Sequence, residues 1–423
     1  MFRAVITGIG VASPFGVGWD AWSQGLRAGT SATRCVSLFD PEIPFPLAPH
    51  IEALSCHVVA EVPGFSPADW LGPKDLDRVP RVVPLALCAT REALHSAGLS
   101  DMNHTDKGET GVVVGSGGGG WSFGEAQLTA WLLKSTKRVS PYSISSSIVG
   151  MVSSEISIAE GLRARSHSIS DGCTSSSDAF GYALDLIRSG REKRLLVGGA
   201  DGCITPAMLA GFALMRAIPT HWNSEPGRAS RPFSADRDGF VLGEGAWMFV
   251  VEEREAALRR GARIRAELCG YGATCEAYHR VALKEPDEAA RAMTMALADA
   301  NIAPSEVDYV NLHGTATAAN DPLETAAVKI ALGTYAMQTP MSSTKSQIGH
   351  AQGASGAAGV AATIAGMEGG FIPPTINLDK PDPACDLDYV PHQSRPGHIE
   401  WALANCLGFG SKNAALVLRR SET

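Results

Sequence analysis

Residues 168–178 have the sequence Ser-Ile-Ser-Asp-Gly-Cys-Thr-Ser-Ser-Ser-Asp, which places one cysteine where a short strand turns into a helix. After it, apolar residues recur at helical spacing as far as Ile187, and Gly190 can end the helix. The unpaired N–H groups of a first helical turn favour thiolate, the nucleophilic form of cysteine. The segment therefore predicts a nucleophile at Cys173. The alternative is a buried structural cysteine, because unpaired cysteine is among the most buried residue types.

The composition indicates a globular protein with a sizeable core. The chain has 423 residues, of which 45% are hydrophobic and 19% are charged, which is enough for two domains or one duplicated domain. A net charge of −8 argues against a general nucleic-acid binder. The nine cysteines show no metal-binding spacing, so we expect a reducing compartment with neither disulfides nor structural zinc. No apolar run is long enough for a bilayer, and residues 3–8 predict a first strand rather than a signal peptide, so we expect a cytoplasmic protein.

Strands and helices alternate along both halves of the chain. Strands are predicted at residues 3–8, 111–115, 195–200, 245–252, 264–273, 307–312, 341–343, 404–407 and 414–418, and helices at 19–28, 74–98, 179–190, 289–297 and 353–368. Residues 35–73 are rich in proline and predict an irregular surface excursion. The alternation predicts a mostly parallel sheet covered on both faces. We expect two copies of one α/β unit, residues 1–260 with the cysteine and residues 261–423.

A glycine run follows the strand at residues 111–115. Residues 115–120 satisfy the pattern GxGxxG, but a nearly continuous run of glycine makes that match almost unavoidable. The chain after it also lacks the strand, helix and acidic residue of a dinucleotide site. We interpret the run as a close approach of backbone beside a pocket.

Two histidines follow strands in the second half. His313 comes at the end of one predicted strand, and His350 comes shortly after another, with Lys345 five residues before it. Open α/β sheets build their sites at the carboxyl ends of strands. Either histidine alone is typical of an ordinary core or surface residue, but the two together with Cys173 predict a shared site.

Several motifs occur in the order found in one family. The chain resembles the elongating β-ketoacyl-acyl-carrier-protein synthases of the thiolase superfamily, which use Cys-His-His, and type II members are most similar. The motifs are Val5-Ile-Thr-Gly-Ile-Gly, Gly172-Cys-Thr-Ser, Arg231-Pro-Phe-Ser-Ala-Asp-Arg-Asp-Gly, His313-Gly-Thr-Ala-Thr, Thr344-Lys-Ser-Gln-Ile-Gly-His, Pro373-Pro-Thr-Ile-Asn-Leu and Gly408-Phe-Gly. The resemblance covers essentially the whole chain. It implies an α/β thiolase fold, five-layered αβαβα, built from two duplicated halves.

The resemblance also implies roles for the site residues. Cys173 would take the acyl group from an acyl carrier protein, and its N–H and that of Phe409 would form the oxyanion hole. His313 and His350 would stabilise the enolate formed when malonyl-carrier protein loses CO₂. Lys345 would orient His350.

Further residues match family positions outside this centre. By resemblance, Thr315 and Thr317 bind the phosphopantetheine arm, Glu324 is a structural acid, and Phe409 gates the pocket. The resemblance implies neither a metal nor an organic cofactor, since phosphopantetheine of the carrier protein holds the substrates.

Basic residues are candidates for docking the acidic carrier protein. They are Lys74, Arg78, Arg81 and Arg216. The first three begin the predicted helix 74–98, where an ordinary solvated face is the alternative.

Gly118 and Ser143 are candidates for the acyl pocket. Gly118 replaces a branched apolar family residue and would widen the pocket, unless a neighbour such as Trp121 fills the space. Ser143 would contribute to the pocket of a dimer partner. Two further departures are Gly359, where many relatives have a glutamate paired with the active-site lysine, and the pair Ser411-Lys412 after the gate.

The expected function is decarboxylative Claisen condensation of an acyl-carrier protein with malonyl-carrier protein, giving a β-ketoacyl-carrier protein and CO₂. The departures favour a type II polyketide or polyene pathway over housekeeping fatty-acid elongation, which is the alternative. A chain-length-factor-like subunit is a second alternative, which the presence of Cys173 disfavours. A degradative thiolase would need a cysteine base near the C-terminus, where Cys406 lies. We expect a dimer, either of two identical chains or with a related chain.

Overall fold

Strands and helices alternate along residues 1–45, 52–281 and 284–421, which this computed structural model describes. The strands are β1 (Ala4–Ser13), β2 (Gly16–Val17), β3 (Arg34–Cys35), β4 (Val58–Ala60), β5 (Thr110–Gly115), β6 (Ser166–Ile169), β7 (Arg194–Asp201), β8 (Leu242–Gly243), β9 (Gly245–Glu253), β10 (Ala266–Cys275), β11 (Tyr309–Asn311), β12 (Met341–Ser342), β13 (Phe371–Ile372), β14 (Arg395–Pro396), β15 (Trp401–Gly408) and β16 (Lys412–Arg420). The helices are α1 (Trp19–Ala28), α2 (Val82–Ser96), α3 (His104–Gly108), α4 (Trp121–Leu133), α5 (Met151–Glu160), α6 (Ser175–Arg188), α7 (Pro206–Leu214), α8 (Arg254–Arg259), α9 (Asp287–Ala300), α10 (Asn320–Leu332), α11 (Lys345–Ile348) and α12 (Ser355–Gly369).

The main sheet is mixed rather than mostly parallel as predicted. Its order is β12-β11-β15-β16-β10-β1-β9-β7-β5-β6. Pairing is parallel only in the two outer parts, between β5 and its neighbours and between β11 and its neighbours. The pairs between them, from β15 with β16 to β9 with β7, are antiparallel. The β1–β10 pair joins strands from the two predicted halves, whose boundary at residue 260 stays a prediction.

Helix α12 lies at the centre of the fold. It is buried on all sides from Ser355 to Met367, and its small residues let strands approach it from both directions. It packs with α6 between the β7–β9 part of the sheet and the β15–β16 part. Helices α2 and α5 cover the first part from outside, and α9 and α10 cover the second. These are the five αβαβα layers of a thiolase fold.

The prediction of a helix over residues 74–98 is wrong for the first third of that range. Helix α2 begins at Val82, and residues 74–79 form turns. Pro73 and Pro80 explain the late start, because the residue before a proline is driven from helical geometry and proline has no N–H for the helical ladder. Lys74 and Arg78 therefore lie on a turn and not on a helix face.

The irregular region 35–73 contains β4 and a 3₁₀ turn at Pro67–Asp69, while residues 46–51 lie outside the described part. Within the described residues, no helix has both the length and the apolar character needed to cross a membrane.

Candidate active site

Cys173 lies in a 3₁₀ turn, Gly172–Thr174, between β6 and α6. Gly172 has φ 68°, a left-handed conformation that glycine adopts without steric cost, and this bend brings the chain from the strand into the helix. The prediction of a strand-to-helix turn at the cysteine is confirmed. The side chain of Cys173 is buried at one wall of a pocket.

The structure brings both predicted histidines to the cysteine. Nε2 of His350 lies 3.2 Å from Sγ of Cys173. The ring of His313, which follows β11, lies 5.2 Å from the ring of His350 and nearly perpendicular to it. One ligand atom from each of the three side chains fits within 4.8 Å of the other two. Sequence positions 173, 313 and 350 therefore form one site.

The pocket above this site has a volume of about 270 Å³. Its mouth includes the exposed residues Arg216 and Ala318, and its walls include Thr315 and Thr317. The hydroxyls of the two threonines are 3.1 Å apart. Phe409 closes one side. A narrow passage with paired hydroxyls suits an extended polar arm that ends at the sulfur.

The resting sulfur is a thiol, which corrects the thiolate expectation. Burial raises the pKa of Cys173 to about 11. The N–H of Phe409 and the charge of Lys345 act in the opposite direction and stabilise the anion, but they do not outweigh burial. Nucleophilic attack by this sulfur would therefore require a base to take its proton, and Nε2 of His350 is within reach.

Both histidines are neutral at pH 7. Burial lowers the pKa of each well below its usual value, and the positive charge of Lys345 lowers both further. Nδ1 of His350 is 2.7 Å from Oγ of Ser355. Because a hydroxyl can donate or accept, Ser355 supports either tautomer of His350, and Nε2 can accept a proton in one step and donate a hydrogen bond in another.

Glu324 holds the loop that carries His313. Its two carboxylate oxygens each accept a backbone N–H at 2.7 Å, from His313 and from Gly314. Burial raises the pKa of Glu324 to about 7 despite these hydrogen bonds. The carboxylate fixes the backbone and does not reach the pocket lining, which agrees with a structural acid.

Cys406 lies behind the site rather than in it. Its Sγ donates to the carbonyl oxygen of Cys173 at 2.9 Å and lies 3.5 Å from Nδ1 of His313. Burial raises its pKa far above the usual value. A thiol with this pKa and these partners supports the backbone of the nucleophile, and it is a poor base for a degradative thiolase.

Family models match both halves of the chain. The model described as beta-ketoacyl synthase, N-terminal domain, matches residues 1–257, and the one described as beta-ketoacyl synthase, C-terminal domain, matches residues 265–379. The chain belongs to the β-ketoacyl synthase family.

Relatives from two kinds of pathway are similar to this ketosynthase. The 3-oxoacyl-[acyl-carrier-protein] synthase 2 of Synechocystis is 40% identical over 99% of this chain and 98% of its own length. The actinorhodin polyketide putative beta-ketoacyl synthase 1 of Streptomyces coelicolor is 39% identical over 100% and 89%. A solved ketosynthase bound to a hexaketide and in complex with its type II polyketide acyl-carrier protein is 30% identical, with a TM-score of 0.89 and full coverage of both chains.

The residues that follow Phe409 in this ketosynthase are held by side-chain contacts at both departures from the family pattern. Ser411 donates through Oγ to the carbonyl of His279 at 3.0 Å and adopts φ 63°. Lys412 forms an ion pair with Asp171, two residues before the nucleophile. The N–H of Gly410 donates to the carbonyl of Arg280 at 2.9 Å. Gly410, Ser411 and Lys412 therefore hold the chain in place directly after Phe409.

The glycine run surrounds a carboxylate and not a phosphate. The N–H groups of Gly117 and Gly118 donate to buried Asp201 at 2.8 and 2.9 Å, and Oγ of Ser116 donates at 2.8 Å. The prediction for Gly118 is wrong. A Cβ added there would lie 1.9 Å from Sγ of Cys203, so Cys203 fills the space that a side chain at 118 would take. Trp121 is half exposed and does not fill the space beside Gly118.

A neighbouring group also fills the space at Gly359. A Cβ there would lie 2.7 Å from Oδ1 of Asn311.

The four predicted docking residues differ in availability. Arg81 forms a bidentate ion pair with fully buried Glu244, at 2.7 and 2.8 Å, so its guanidinium is committed to the interior and the docking prediction for it is wrong. Lys74 and Arg216 are exposed, and Arg216 is at the pocket mouth. Arg78 lies 3.4 Å from Asp75 and over the ring of Tyr142. Docking at these three stays a prediction.

Ser143 does not line the pocket of its own Cys173. It lies in a surface groove together with Trp131 and Ile144. Its contribution to a partner's pocket stays a prediction.

Two site residues were missed from the sequence, namely Ser355 and Gln352. The signal for Ser355 was the run after His350, which has a serine at the start of the next helix, as does the run after Cys173.

Proposed function

We propose that this ketosynthase condenses an acyl group held on Cys173 with malonyl-carrier protein, forming a β-ketoacyl-carrier protein and CO₂. The observation that carries the proposal is the 3.2 Å contact of Nε2 of His350 with Sγ of Cys173, with His313 beside it. A thiol and two neutral imidazoles in one pocket, with Lys345 buried near them, can perform both acyl transfer and enolate stabilisation.

Acyl transfer begins at the sulfur. Sγ of Cys173 attacks the thioester carbonyl of the acyl-carrier protein while His350 accepts the thiol proton. The oxyanion lies between the N–H groups of Cys173 and Phe409, which already face the sulfur. The carbon–sulfur bond to pantetheine breaks, and the leaving thiolate takes the proton from His350. The acyl group is then a thioester of Cys173.

Condensation uses the same imidazoles as donors. Malonyl-carrier protein enters along Thr315 and Thr317, and its thioester oxygen accepts hydrogen bonds from His313 and His350. Loss of CO₂ leaves an enolate, because the electron pair of the broken carbon–carbon bond moves onto this oxygen. The enolate carbon attacks the acyl carbonyl, a new carbon–carbon bond forms, and Cys173 leaves as a thiolate that is reprotonated. The carbonyl of the substrate serves as the electron sink, so the reaction requires no metal or organic cofactor.

We assign the reaction to a type II polyketide or polyene pathway, with fatty-acid elongation as the alternative. The similarity to the actinorhodin protein and to the hexaketide-bound ketosynthase supports this assignment. Gly118 no longer supports it, because Cys203 occupies the space. The 40% identity to a 3-oxoacyl-[acyl-carrier-protein] synthase 2 supports the alternative, fatty-acid elongation.

The acyl groups arrive on an acidic carrier protein, and the chain works as a dimer in the cytoplasm. Arg216 at the pocket mouth and Lys74 on an exposed turn offer positive charge for docking. Strand β6 ends the sheet, and nearby Trp131, Ile144 and Ile148 are more than half exposed. This edge suits either a second copy or a chain-length-factor chain.

Intact-mass measurement tests the function. The protein is mixed with carrier proteins that bear short saturated, long saturated, polyunsaturated or aryl-capped acyl groups, with Cys173→Ala as the control. Acylation of the unsubstituted protein alone, followed by extension with malonyl-carrier protein, is the expected result, and the preferred acyl group decides the pathway. If adding the candidate partner chain also fails to produce acylation, the condensing function is wrong and the noncatalytic alternative gains support.

A further inference from the structure

Gln352 has an unused hydrogen-bond donor at the active site. Its Nε2 is buried and has no hydrogen-bond partner, and the residue lines the same pocket as Cys173 and His350. A buried donor left without a partner costs free energy, so such a group calls for a partner, and at a pocket that partner can be a ligand oxygen or a water.

The backbone of Gln352 is held in a conformation that favours glycine. Its φ is 48°, and it occupies the first position of the 3₁₀ turn Gln352–Ala354. Gly172 occupies the first position of the corresponding turn at the nucleophile, with φ 68°. A side chain is therefore present where the same turn elsewhere in this protein uses glycine. Strained positions of this kind cluster at functional sites, where the side chain has a use.

The position of Gln352 indicates what its amide meets. A Cβ added to Gly117 would lie 3.5 Å from Cβ of Gln352, so the glutamine packs against the glycine run, and it lines the same pocket as Cys173 and His350. An acyl group bonded to Cys173 would occupy this pocket and have Gln352 as a neighbour.

We infer that Nε2 of Gln352 donates a hydrogen bond to an oxygen of the acyl chain on Cys173, and that this ketosynthase selects acyl groups with a keto or hydroxyl oxygen near the thioester. The inference rests on the proposed condensation and deepens it. A saturated chain has no acceptor and would leave the buried amide unpaired, so the site disfavours it.

Matched pairs of acyl-carrier proteins test this selection. The pairs are 3-oxobutyryl with butyryl, 3-hydroxybutyryl with butyryl, and 5-oxohexanoyl with hexanoyl, so that members of a pair differ in one oxygen. The acylation rate of Cys173 is followed by intact mass, and malonyl extension is followed separately. We expect the protein to prefer an oxygenated member, and Gln352→Met, which keeps an unbranched side chain without the donor, to reduce that preference by about fivefold, the value of one hydrogen bond.

Two further variants keep the test decisive. Gln352→Gly also removes the donor and fits the left-handed backbone, so it serves if the methionine variant does not fold. Thr317→Val is the matched control at the mouth, and it should slow both members of each pair equally. If saturated chains load and extend but the parent shows no preference for oxygenated chains, the inference is wrong and the condensing function stands. The same conclusion follows if both Gln352 variants keep the parent's preference. Failure of every acyl group to load would overturn the condensing function and the inference with it.

Discussion

The turn at Cys173 and the turn after His350 have the same backbone and carry different chemistry. Each begins with a left-handed residue and leads directly into a central helix that starts with serine. The residues just before the helices, Thr174 and Ala354, share φ −80° and have ψ of −8° and −6°. The first turn has cysteine at its second position, and the second turn has Gly353 there and Gln352 before it. One backbone arrangement, used twice, thus carries the cysteine in one half and a polar side chain close to His350 in the other.

Of the substitutions at the two turns, removal of the nucleophile should have the largest effect on condensation. In Cys173→Ala we expect condensation to fall by roughly 10³-fold or more, because no other group can form the acyl intermediate. Intact mass should show no acyl adduct. An adduct of undiminished yield at Cys406 or Cys203 would show that the first turn does not hold the nucleophile.

Removing the histidine that precedes the second turn should reduce condensation somewhat less. In His350→Ala we expect condensation to fall by about 10²-fold to 10³-fold, the usual loss for a donor that stabilises a developing oxyanion. Ser355→Ala removes only the partner of Nδ1 and should slow condensation by about fivefold, one hydrogen bond. Steady-state rates with a single acyl-carrier protein measure both variants. Equal losses in the two would mean that Ser355 takes a direct part in the reaction.

The protonation state of the Cys173 thiol, in the first turn, gives a smaller and more specific effect. Alkylation by iodoacetamide requires the thiolate, and burial raises the pKa of Cys173 to about 11. The alkylation rate should therefore rise about tenfold per pH unit from pH 7 to pH 10, where an ordinary thiol levels off above its pKa of about 8.5. Peptide mass spectrometry follows Cys173 apart from the other thiols. A plateau below pH 8 would indicate a resting thiolate–imidazolium pair.

The sequence predicted the parts of the site that depend on local order. The strand, glycine and cysteine at residues 166–173 and the position of His313 at a strand exit follow from patterns within a few residues, and the structure places them there. His350 follows the short helix α11 rather than a strand exit, but it reaches Cys173 as predicted. The thiolate expectation failed because it counted the helix terminus, which is local, and left out burial, which depends on the whole fold.

The errors at Gly118 and Arg81 have the same origin. Cys203 lies 85 residues after Gly118 in the sequence, and Glu244 lies 163 residues after Arg81, so neither neighbour was visible from the local sequence. A residue type at a family position indicates what the position can do. Its actual contacts depend on residues that are distant in the sequence.

The smallest expected effects are on stability, and they come from substitutions at the left-handed residue that begins each turn. Gly172→Ala places a Cβ at φ 68°, where the nearest atom would be the Phe409 carbonyl oxygen at an ordinary 3.6 Å. The cost is therefore conformational, and we expect the free energy of unfolding to fall by about 1 kcal/mol. Gln352→Gly relieves a similar backbone strain but also raises the conformational entropy of the unfolded chain. Because the two effects oppose each other, we expect the free energy of unfolding to change by less than about 0.5 kcal/mol.

Urea unfolding of the two variants beside the parent measures this asymmetry. A loss of stability in Gln352→Gly as large as that in Gly172→Ala would mean that the glutamine side chain packs in the resting protein and does not wait for a ligand oxygen. If glycine at 352 is tolerated while the selection for oxygenated chains declines, then the glutamine is retained for its amide, and the second turn carries a side chain at a left-handed position because the acyl group requires one.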